Sequence, residues 1–389
     1  MAKYGRKNHV NLNPLSYNIC LLGESKIGKT SIIMEMCEKL VGEDGYIFME
    51  IGLERGGDAI EGINHVNCPE WEMGYDELTN SAGFATVCED IINNKMSEYK
   101  DLKVVIWDTY DQLITIAEQE AIVLWNKDCR DSGHPEKVVK TINAAWGGFG
   151  KGEKKAIDLM FNMMAELRKV GVSTIVIGHV KTKDVMDVVS GETYQTITSD
   201  QQQNYFNALK KNLHFLGLAY FDRTIIKEKT GRKVIKGKKT VEEEVCKVKE
   251  EVRKIKFRDD NYAVDSGSRF ADIVPEIDFD VNELIAAFNN AILAEQKKSG
   301  MTVKQAQEEQ DKIKKAEEKR LVEAEKKAKE KKELDKIIAD IIQFFTEHKS
   351  DVIVIKPILK RIKELGYANP KEIDSVKDAE IILTMIQQE

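Results

Sequence analysis

The stretch that decides the fold of this chain is Gly23-Glu24-Ser25-Lys26-Ile27-Gly28-Lys29-Thr30. The apolar run before it, at 17–22, is typical of a buried strand, and the segment after it, at 31–40, has the periodicity of a helix. Glycines at both ends let the backbone wrap with successive N–H groups turned inward, and the helix N-terminus adds partial positive charge. Because strand, spacing and helix agree, this stretch is predicted to be a phosphate-binding P-loop.

Each part of the P-loop has a predicted role. Lys29 is expected to reach the β- and γ-phosphate oxygens, and the Thr30 hydroxyl to ligate Mg²⁺. The predicted ligands are therefore ATP, or another nucleoside triphosphate, and Mg²⁺. The residues predicted to contact the nucleotide are Gly23, Glu24, Ser25, Lys26, Ile27, Gly28, Lys29, Thr30 and Ser31.

The composition is that of a protein with more than one domain and no membrane segment. The chain has 389 residues and a net charge of −7, which argues against a globally basic nucleic-acid binder. It has no run of eighteen apolar residues and no apolar core of a signal peptide at its start, so a cytoplasmic location is expected. Its six cysteines form no CxxC pair, and His65 and Cys68 lack the second pair that a zinc site would need.

Three regions follow from the patterning. Residues 1–294 alternate short apolar runs with helical patterns, which predicts an α/β domain with a mostly parallel, doubly wound sheet. In 295–335, 24 of 41 residues are charged, which predicts a solvated helical linker, with a coiled coil as the alternative. Apolar periodicity returns at 336–389 and predicts a small helical module. The predicted strands are 17–22, 46–51, 104–107, 173–177, 215–220 and 254–257, and the predicted helices are near 84–99, 110–126, 151–169 and 200–213.

A second motif lies about eighty residues after the P-loop. The run at 103–109 (KVVIWDT) is apolar and β-branched and ends in Asp108, which is the Walker B pattern. The Asp108 carboxylate is predicted to lie at the carboxyl end of a central strand and to hold Mg²⁺ opposite Thr30. A plain strand end is the alternative, but the preceding P-loop favours the metal ligand.

Together these motifs resemble the RecA/RadA core. More narrowly, they resemble the RecA-like ATPases encoded by bacteriophages that act in ATP-dependent single-strand annealing or recombination. Asp108 is followed by Thr109 and not by the glutamate that AAA+ ATPases usually place there. The resemblance also rests on acidic residues after 46–51 and on a strand ending in IGHVK at 177–181. Further stretches, 142–152 and 257–272, extend it over roughly residues 15–294.

The resemblance implies a set of catalytic residues. RecA-like ATPases carry their catalytic glutamate at the end of the strand next to the P-loop strand, and the run at 46–57 occupies that position. Glu54 is the candidate for polarising the attacking water, with Glu50 as its rival. His179 is a candidate sensor of the γ-phosphate, and a histidine that only caps a loop is the alternative.

The resemblance also implies that two loops contact DNA. The first would be 141–155, where Trp146 and Phe149 could stack on bases and Lys151 could contact phosphate. The alternative is a glycine-rich hinge whose Trp146 packs on the core. The second, 181–200, is predicted to be a long connection without regular structure, although it carries few cations.

Two basic features remain. Residues 223–258 hold fourteen Lys or Arg against six Glu, and are predicted to form a β-hairpin whose Lys233, Lys236 and Lys238 contact the DNA backbone. A solubilising edge is the alternative.

RecA-type hydrolysis generally needs a cation from the next subunit, for which Arg258 and Arg269 are candidates. That role implies a homo-oligomer, either a ring or a filament.

The sequence therefore favours an ATP-hydrolysing RecA-like protein that acts on single-stranded DNA. A replicative helicase or helicase loader would share the P-loop, and a RadA-like branch-migration ATPase would usually bring a zinc module. A different class remains open, in which a nucleotide-switched scaffold recruits a replication or defence partner through its C-terminal helices. A single-strand-binding protein is another candidate partner.

Overall fold

The structure is a computed structural model that describes residues 9–186, 191–236, 239–258, 266–349 and 352–387. The strands in this part of the chain are β1 (Ile19–Gly23), β2 (Tyr46–Ile51), β3 (His65–Cys68), β4 (Val104–Asp108), β5 (Ser173–Met186), β6 (Thr193–Ser199), β7 (Phe215–Lys236), β8 (Lys239–Lys256), β9 (Gly267–Ser268) and β10 (Glu276–Asp278). The helices are α1 (Lys29–Val41), α2 (Phe84–Asn93), α3 (Tyr110–Asp131), α4 (Lys151–Lys169), α5 (Gln203–Asn212), α6 (Val281–Lys297), α7 (Val303–Glu347), α8 (Val352–Glu364) and α9 (Val376–Ile386).

The strands form one mixed, mostly parallel sheet in the order β10-β8-β7-β1-β5-β4-β2-β3. Every pair from β7 to β3 is parallel, whereas β8 and β10 add antiparallel pairs at one edge. β1 and β4 are buried along their whole length, because helices cover both faces of the sheet. The α/β class and the mostly parallel sheet are confirmed.

Two apolar clusters lie on the two faces of this sheet. On one face, Phe84 of α2, Leu113 of α3 and Met160 of α4 pack against strand residues such as Trp107. On the other face, α1 and α6 pack against β1 and β7, with the ring of Phe288 tilted against that of Phe215 at 4.4 Å between centroids. Burial of both faces explains why these strands are continuous apolar runs in the sequence.

The connection predicted at 181–200 has regular structure, so that prediction is wrong. β5 continues to Met186, and β6 returns beside it in antiparallel pairing from Val180↔Ser199 to Met186↔Thr193. The residues of β6 are rich in Thr, Tyr and Ile, which favour a strand, and Thr196 and Thr198 are buried. The absence of helical periodicity indicated a strand here and not a loop.

The position of β2 also differs from the expectation. This strand pairs with β4 and β3, and the neighbours of the P-loop strand β1 are β5 and β7. The register places Glu50 directly beside Asp108. Strands β5 and β4 therefore lie between the P-loop strand and β2, which carries Glu50 and is followed by Glu54.

Two compact units make up the chain. The first comprises residues 1–92 and 99–311, and the second comprises 93–98 and 312–389. The expected boundaries at 294 and 335 both fall inside helices, since α6 runs to Lys297 and α7 runs from Val303 to Glu347. No glycine or proline interrupts α7, so the charged stretch and the first helix of the C-terminal region form one helix.

The second unit has its own small apolar core. Ile337 and Ile341 of α7 pack with Ile358 and Ile362 of α8 and with Ile382 of α9. Within the described residues, no helix is long and apolar enough to cross a membrane.

Candidate nucleotide site

The P-loop leaves the carboxyl end of β1 and closes on the first turn of α1. Gly28 immediately precedes α1 with φ +102°, a conformation that glycine adopts without strain. Gly23 ends β1, where a Cβ would lie 2.9 Å from the carbonyl oxygen of Ala219. Both glycines are therefore required by the local backbone, and the loop surrounds the N-terminus of a thirteen-residue helix.

Lys29 lies inside the loop. Its buried ammonium donates hydrogen bonds to the carbonyl oxygens of Gly23 at 3.1 Å and Glu24 at 3.0 Å. Burial lowers the pKa of Lys29, and the nearby carboxylates of Asp108 and Asp111 act in the opposite direction. The fold thus holds a cation among acids at the point where phosphate oxygens are predicted.

Thr30 and Asp108 meet although they are 78 residues apart. The Thr30 hydroxyl donates to Oδ2 of Asp108 at 2.8 Å. Asp108 is only 7 % exposed, and burial raises its pKa to about 6. A hydroxyl and a carboxylate in contact are the hard oxygen ligands that Mg²⁺ prefers, so these two residues fit the predicted ion.

The two candidate glutamates lie in different environments. Glu54 follows β2 in a turn, is partly exposed, and places Oε1 4.0 Å from Nδ1 of His179. Glu50 lies within β2 and is 2 % exposed, with Oε1 accepting a hydrogen bond from the backbone N–H of Gly57. Of these two glutamates, only Glu54 is exposed enough to contact a water molecule.

His179 lies on β5 beside Gly23 of β1, so it reaches the same edge of the sheet as the P-loop. Its Nδ1 donates to Oδ2 of Asp111 at 2.6 Å, and this hydrogen bond raises the pKa of His179. Gln201 donates to the other Asp111 oxygen at 2.7 Å. No sequence motif indicated Asp111, for which the one signal is its place three residues after Asp108.

Arg253, which no sequence motif indicated, lies against the P-loop. Arg253 of β8 donates to the carbonyl oxygen of Ile27 at 3.1 Å, and its guanidinium stacks on the ring of Phe279 at 5.0 Å. Arg223 of β7 approaches Glu24 at 3.7 Å. Only the pairing of β7 with β8 brings Arg253 to the loop, so no local motif could reveal it.

Arg258 and Arg269 lie away from the P-loop of their own chain. Arg269 donates to the carbonyl oxygen of Lys211, and its backbone N–H bonds to His214 just before β7 begins. Arg258 follows the end of β8 and donates to the carbonyl oxygen of Ala271 at 3.3 Å. Because β7 runs parallel to β1, both arginines lie towards the amino end of the sheet, opposite the P-loop.

The candidate DNA-binding residues of 141–155 have separate environments. The Trp146 indole N–H donates to the carbonyl oxygen of Ala121 at 2.9 Å, and the ring packs 5.6 Å from Trp125. This is the packing role that the sequence left open for Trp146. Phe149, in contrast, is fully exposed at φ +53°, two residues before Lys151 begins α4.

The predicted hairpin at 223–258 is formed by β7 and β8, which pair as far as Lys236↔Lys239. Lys233 pairs with Glu242 along the backbone of this hairpin. The side chains of Lys233 and Lys236 are outside the described part of the structure, and Lys238 lies outside the described residues altogether. Their contact with DNA stays a prediction.

A comparison with protein families gives a match. A family model described as an AAA domain matches residues 15–244, which is more than half of the chain and includes the P-loop, Asp108 and His179. No curated protein matches the chain.

Proposed function

Since the chain belongs to the family described as an AAA domain, a P-loop ATPase family, we propose that it is a RecA-like ATPase acting on single-stranded DNA. The AAA domain implies nucleotide hydrolysis. The observation that carries the proposal is the contact between Thr30 and Asp108 at 2.8 Å beside the buried Lys29. A hydroxyl, a carboxylate and an ammonium converge there at the N-terminus of α1.

Binding of ATP uses the residues of the P-loop. Backbone N–H groups from Gly23 to Thr30 surround the phosphates, and Lys29 exchanges its carbonyl partners for phosphate oxygens. Thr30 and Asp108 hold Mg²⁺, which neutralises phosphate charge when bound. The low exposure of Asp108 strengthens its interaction with a cation, because little water screens the carboxylate.

Hydrolysis uses groups from two further strands. Glu54 is accessible to solvent and orients or deprotonates the attacking water. His179, kept protonated by Asp111, donates a hydrogen bond to the γ-phosphate from its remaining ring N–H. Their separation of 4.0 Å supports a shared position at the γ-phosphate.

Contact with single-stranded DNA rests on the turn before α4. An exposed aromatic ring in a glycine-rich turn can stack on a base of any sequence, and nearby cations can contact the backbone. Phe149 has such a ring, flanked by Gly148 and Gly150 and followed by Lys151. The basic β7–β8 hairpin is a second candidate contact.

The experiment is an ATPase measurement with and without single-stranded DNA. We expect stimulation by DNA in the wild type, a loss of at least a hundredfold in Lys29→Ala, and a comparable loss of turnover with retained ATP binding in Glu54→Gln. Glu61→Gln is the matched control, since Glu61 is an exposed carboxylate on the same connection. Undiminished turnover in Lys29→Ala would refute the proposal.

One observation favours a second function, the nucleotide-switched scaffold. Residues 312–389 carry an apolar core that shares no residue with the two cores of the ATPase unit, as expected of a module that recruits a partner. Slow turnover that DNA does not change would support the scaffold. Directional unwinding of forked DNA would instead indicate a helicase.

A further inference from the structure

Glu50 has an oxygen whose partner is missing among the described residues. The side chain is 2 % exposed, its Oε1 accepts the N–H of Gly57, and its Oε2 has no hydrogen-bond partner. A buried carboxylate oxygen without a donor is costly, so such a group requires a proton or a cation.

The group that faces this oxygen is His65. Its Nε2 lies 3.9 Å from Oε2 of Glu50, and its Nδ1 lies 3.4 Å from the carbonyl oxygen of Ile63. A carbonyl can only accept, so Nδ1 is the donor in this contact. Nε2 is then the ring nitrogen that can offer a lone pair to an ion held beside Oε2 of Glu50.

Asp58 completes the arrangement. One ligand atom from each of Glu50, Asp58 and His65 lies within 4.8 Å of the other two. The short turn Gly57–Ala59 brings Asp58 there because it closes directly over Glu50, where a Cβ on Gly57 would lie 2.4 Å from Oε1. β2 and β3 are neighbouring parallel strands, so Glu50 and His65 lie on adjacent strands of the sheet.

We propose that Glu50, Asp58 and His65 bind a divalent transition-metal ion of the Zn²⁺ or Mn²⁺ class. One imidazole with two carboxylates suits these ions, and water completes the shell on the exposed Asp58 side. The supporting contacts are also present: the Ile63 carbonyl orients the imidazole, and the Gly57 N–H orients the carboxylate. This ion is distinct from the Mg²⁺ predicted at Thr30 and Asp108.

A second cluster provides a contrast. Asp111, His179 and Asp200 also bring ligand atoms together, but His179 donates to Asp111 at 2.6 Å, and Gln201 donates to both carboxylates. That cluster is held by its own hydrogen bonds. The Glu50 cluster contains no comparable donor for Oε2, so the metal is inferred there alone.

The bound ion would fix the segment that carries Glu54. This segment runs from the end of β2 to the turn at Asp58, and a Cβ on Gly56 within it would lie 3.5 Å from Oγ1 of Thr30. An ion shared by β2, β3 and this turn therefore restrains the path of Glu54 beside the nucleotide site.

The test is metal binding by the full chain in buffer without nucleotide. Chelator-treated protein is titrated with Zn²⁺ and, separately, with Mn²⁺ by calorimetry, and the stoichiometry is checked by elemental analysis. We expect one equivalent in the wild type and in the control His134→Gln, whose exposed histidine pairs directly with Glu136 at 3.1 Å. His65→Gln and Asp58→Asn should bind at least tenfold more weakly.

Asp58→Asn keeps the test decisive if His65→Gln does not fold, because Asp58 is exposed. Equal binding in the wild type and both variants would overturn the proposal, as would no binding by the wild type. A further measurement is the ¹⁵N shift of the His65 ring in chelator-treated protein. Two protonated nitrogens, unchanged by Zn²⁺, would show a direct ion pair with Glu50 and would also overturn it. None of these outcomes depends on ATP hydrolysis.

Discussion

Burial of Asp108 lowers the stability of the protein when this carboxyl is ionised, at a position where a metal ligand is predicted. Its carboxylate is buried, the Thr30 hydroxyl is its hydrogen-bond donor, and its pKa is raised to about 6 from an ordinary value near 4. The folded state therefore binds the proton more tightly than the unfolded state. Stability from this residue is present below the ordinary pKa and is lost as the pH rises through about 6.

Asp108→Asn should accordingly stabilise the protein without nucleotide. The shift of roughly 2 pKa units corresponds to about 3 kcal/mol at pH 8, and the gain should fall towards zero near pH 4. Urea unfolding at both pH values measures it. Asp111→Asn is the contrasting control: burial raises the pKa of Asp111, but hydrogen bonds with His179, Asp200 and Gln201 together lower it. That variant should lose stability at pH 8, and a gain in both variants would contradict this explanation.

Asp111 is also predicted to position His179. Replacing it with Asn removes the main cause of the raised His179 pKa, so the ring should lose its proton at lower pH. We expect ATP turnover at pH 7.5 to fall at least tenfold, while ATP affinity changes by less than threefold. An NMR titration of His179 checks the pKa, and an unchanged value would show that Asp111 plays only a structural part.

At the scale of elements, the connection between α3 and α4 holds one aromatic residue that packs and one that is exposed. Phe149 contributes no buried area, whereas Trp146 packs on Trp125 and bonds to α3. Phe149→Ala should weaken binding of single-stranded DNA about five- to a hundredfold, as for loss of one stacked base, with an unchanged melting temperature. Fluorescence anisotropy with a labelled oligonucleotide measures the affinity. Tyr75→Ala, which removes another exposed aromatic ring, should bind normally.

Trp146→Ala should behave in the opposite way. Loss of the ring and of its hydrogen bond should lower the free energy of unfolding by about 2–3 kcal/mol, because the indole is partly buried. Denaturant unfolding measures this loss. A stable Trp146→Ala variant with weakened DNA binding would instead assign the stacking role to Trp146.

At the scale of the whole molecule, the ATPase unit has cores of its own. Every residue of its two apolar clusters lies between Val10 and Ile292, and α6 supplies the last of them. A chain that ends at Asp311 should therefore unfold in one cooperative transition and retain ATP turnover within about threefold. Calorimetry and an ATPase measurement test this. Loss of turnover in a folded truncated chain would show that the helical unit takes part in hydrolysis.

Some features of the whole molecule were predictable because their cause is local. The P-loop glycines, the buried run ending in Asp108 and the period of α4 each depend on neighbours along the chain, so the nucleotide site and the α/β class followed from the sequence. The pairing of β5 with β6 was missed because most residues of 181–186 and 193–195 are exposed and polar, a composition that is also typical of loops. The helix through 335 was missed because a change in composition does not end a helix.

What the sequence determined by itself is a phosphate-binding loop between a strand and a helix, with an acidic strand end to accompany it. The tertiary structure alone decided which distant groups meet: Arg253 against Ile27 of that loop, Asp111 against His179, and His65 against Glu50. The physical reason is that strand order and register set these distances. The sheet brings Arg253 within hydrogen-bonding distance of Ile27, 226 residues away, and no short-range pattern records which strands become neighbours.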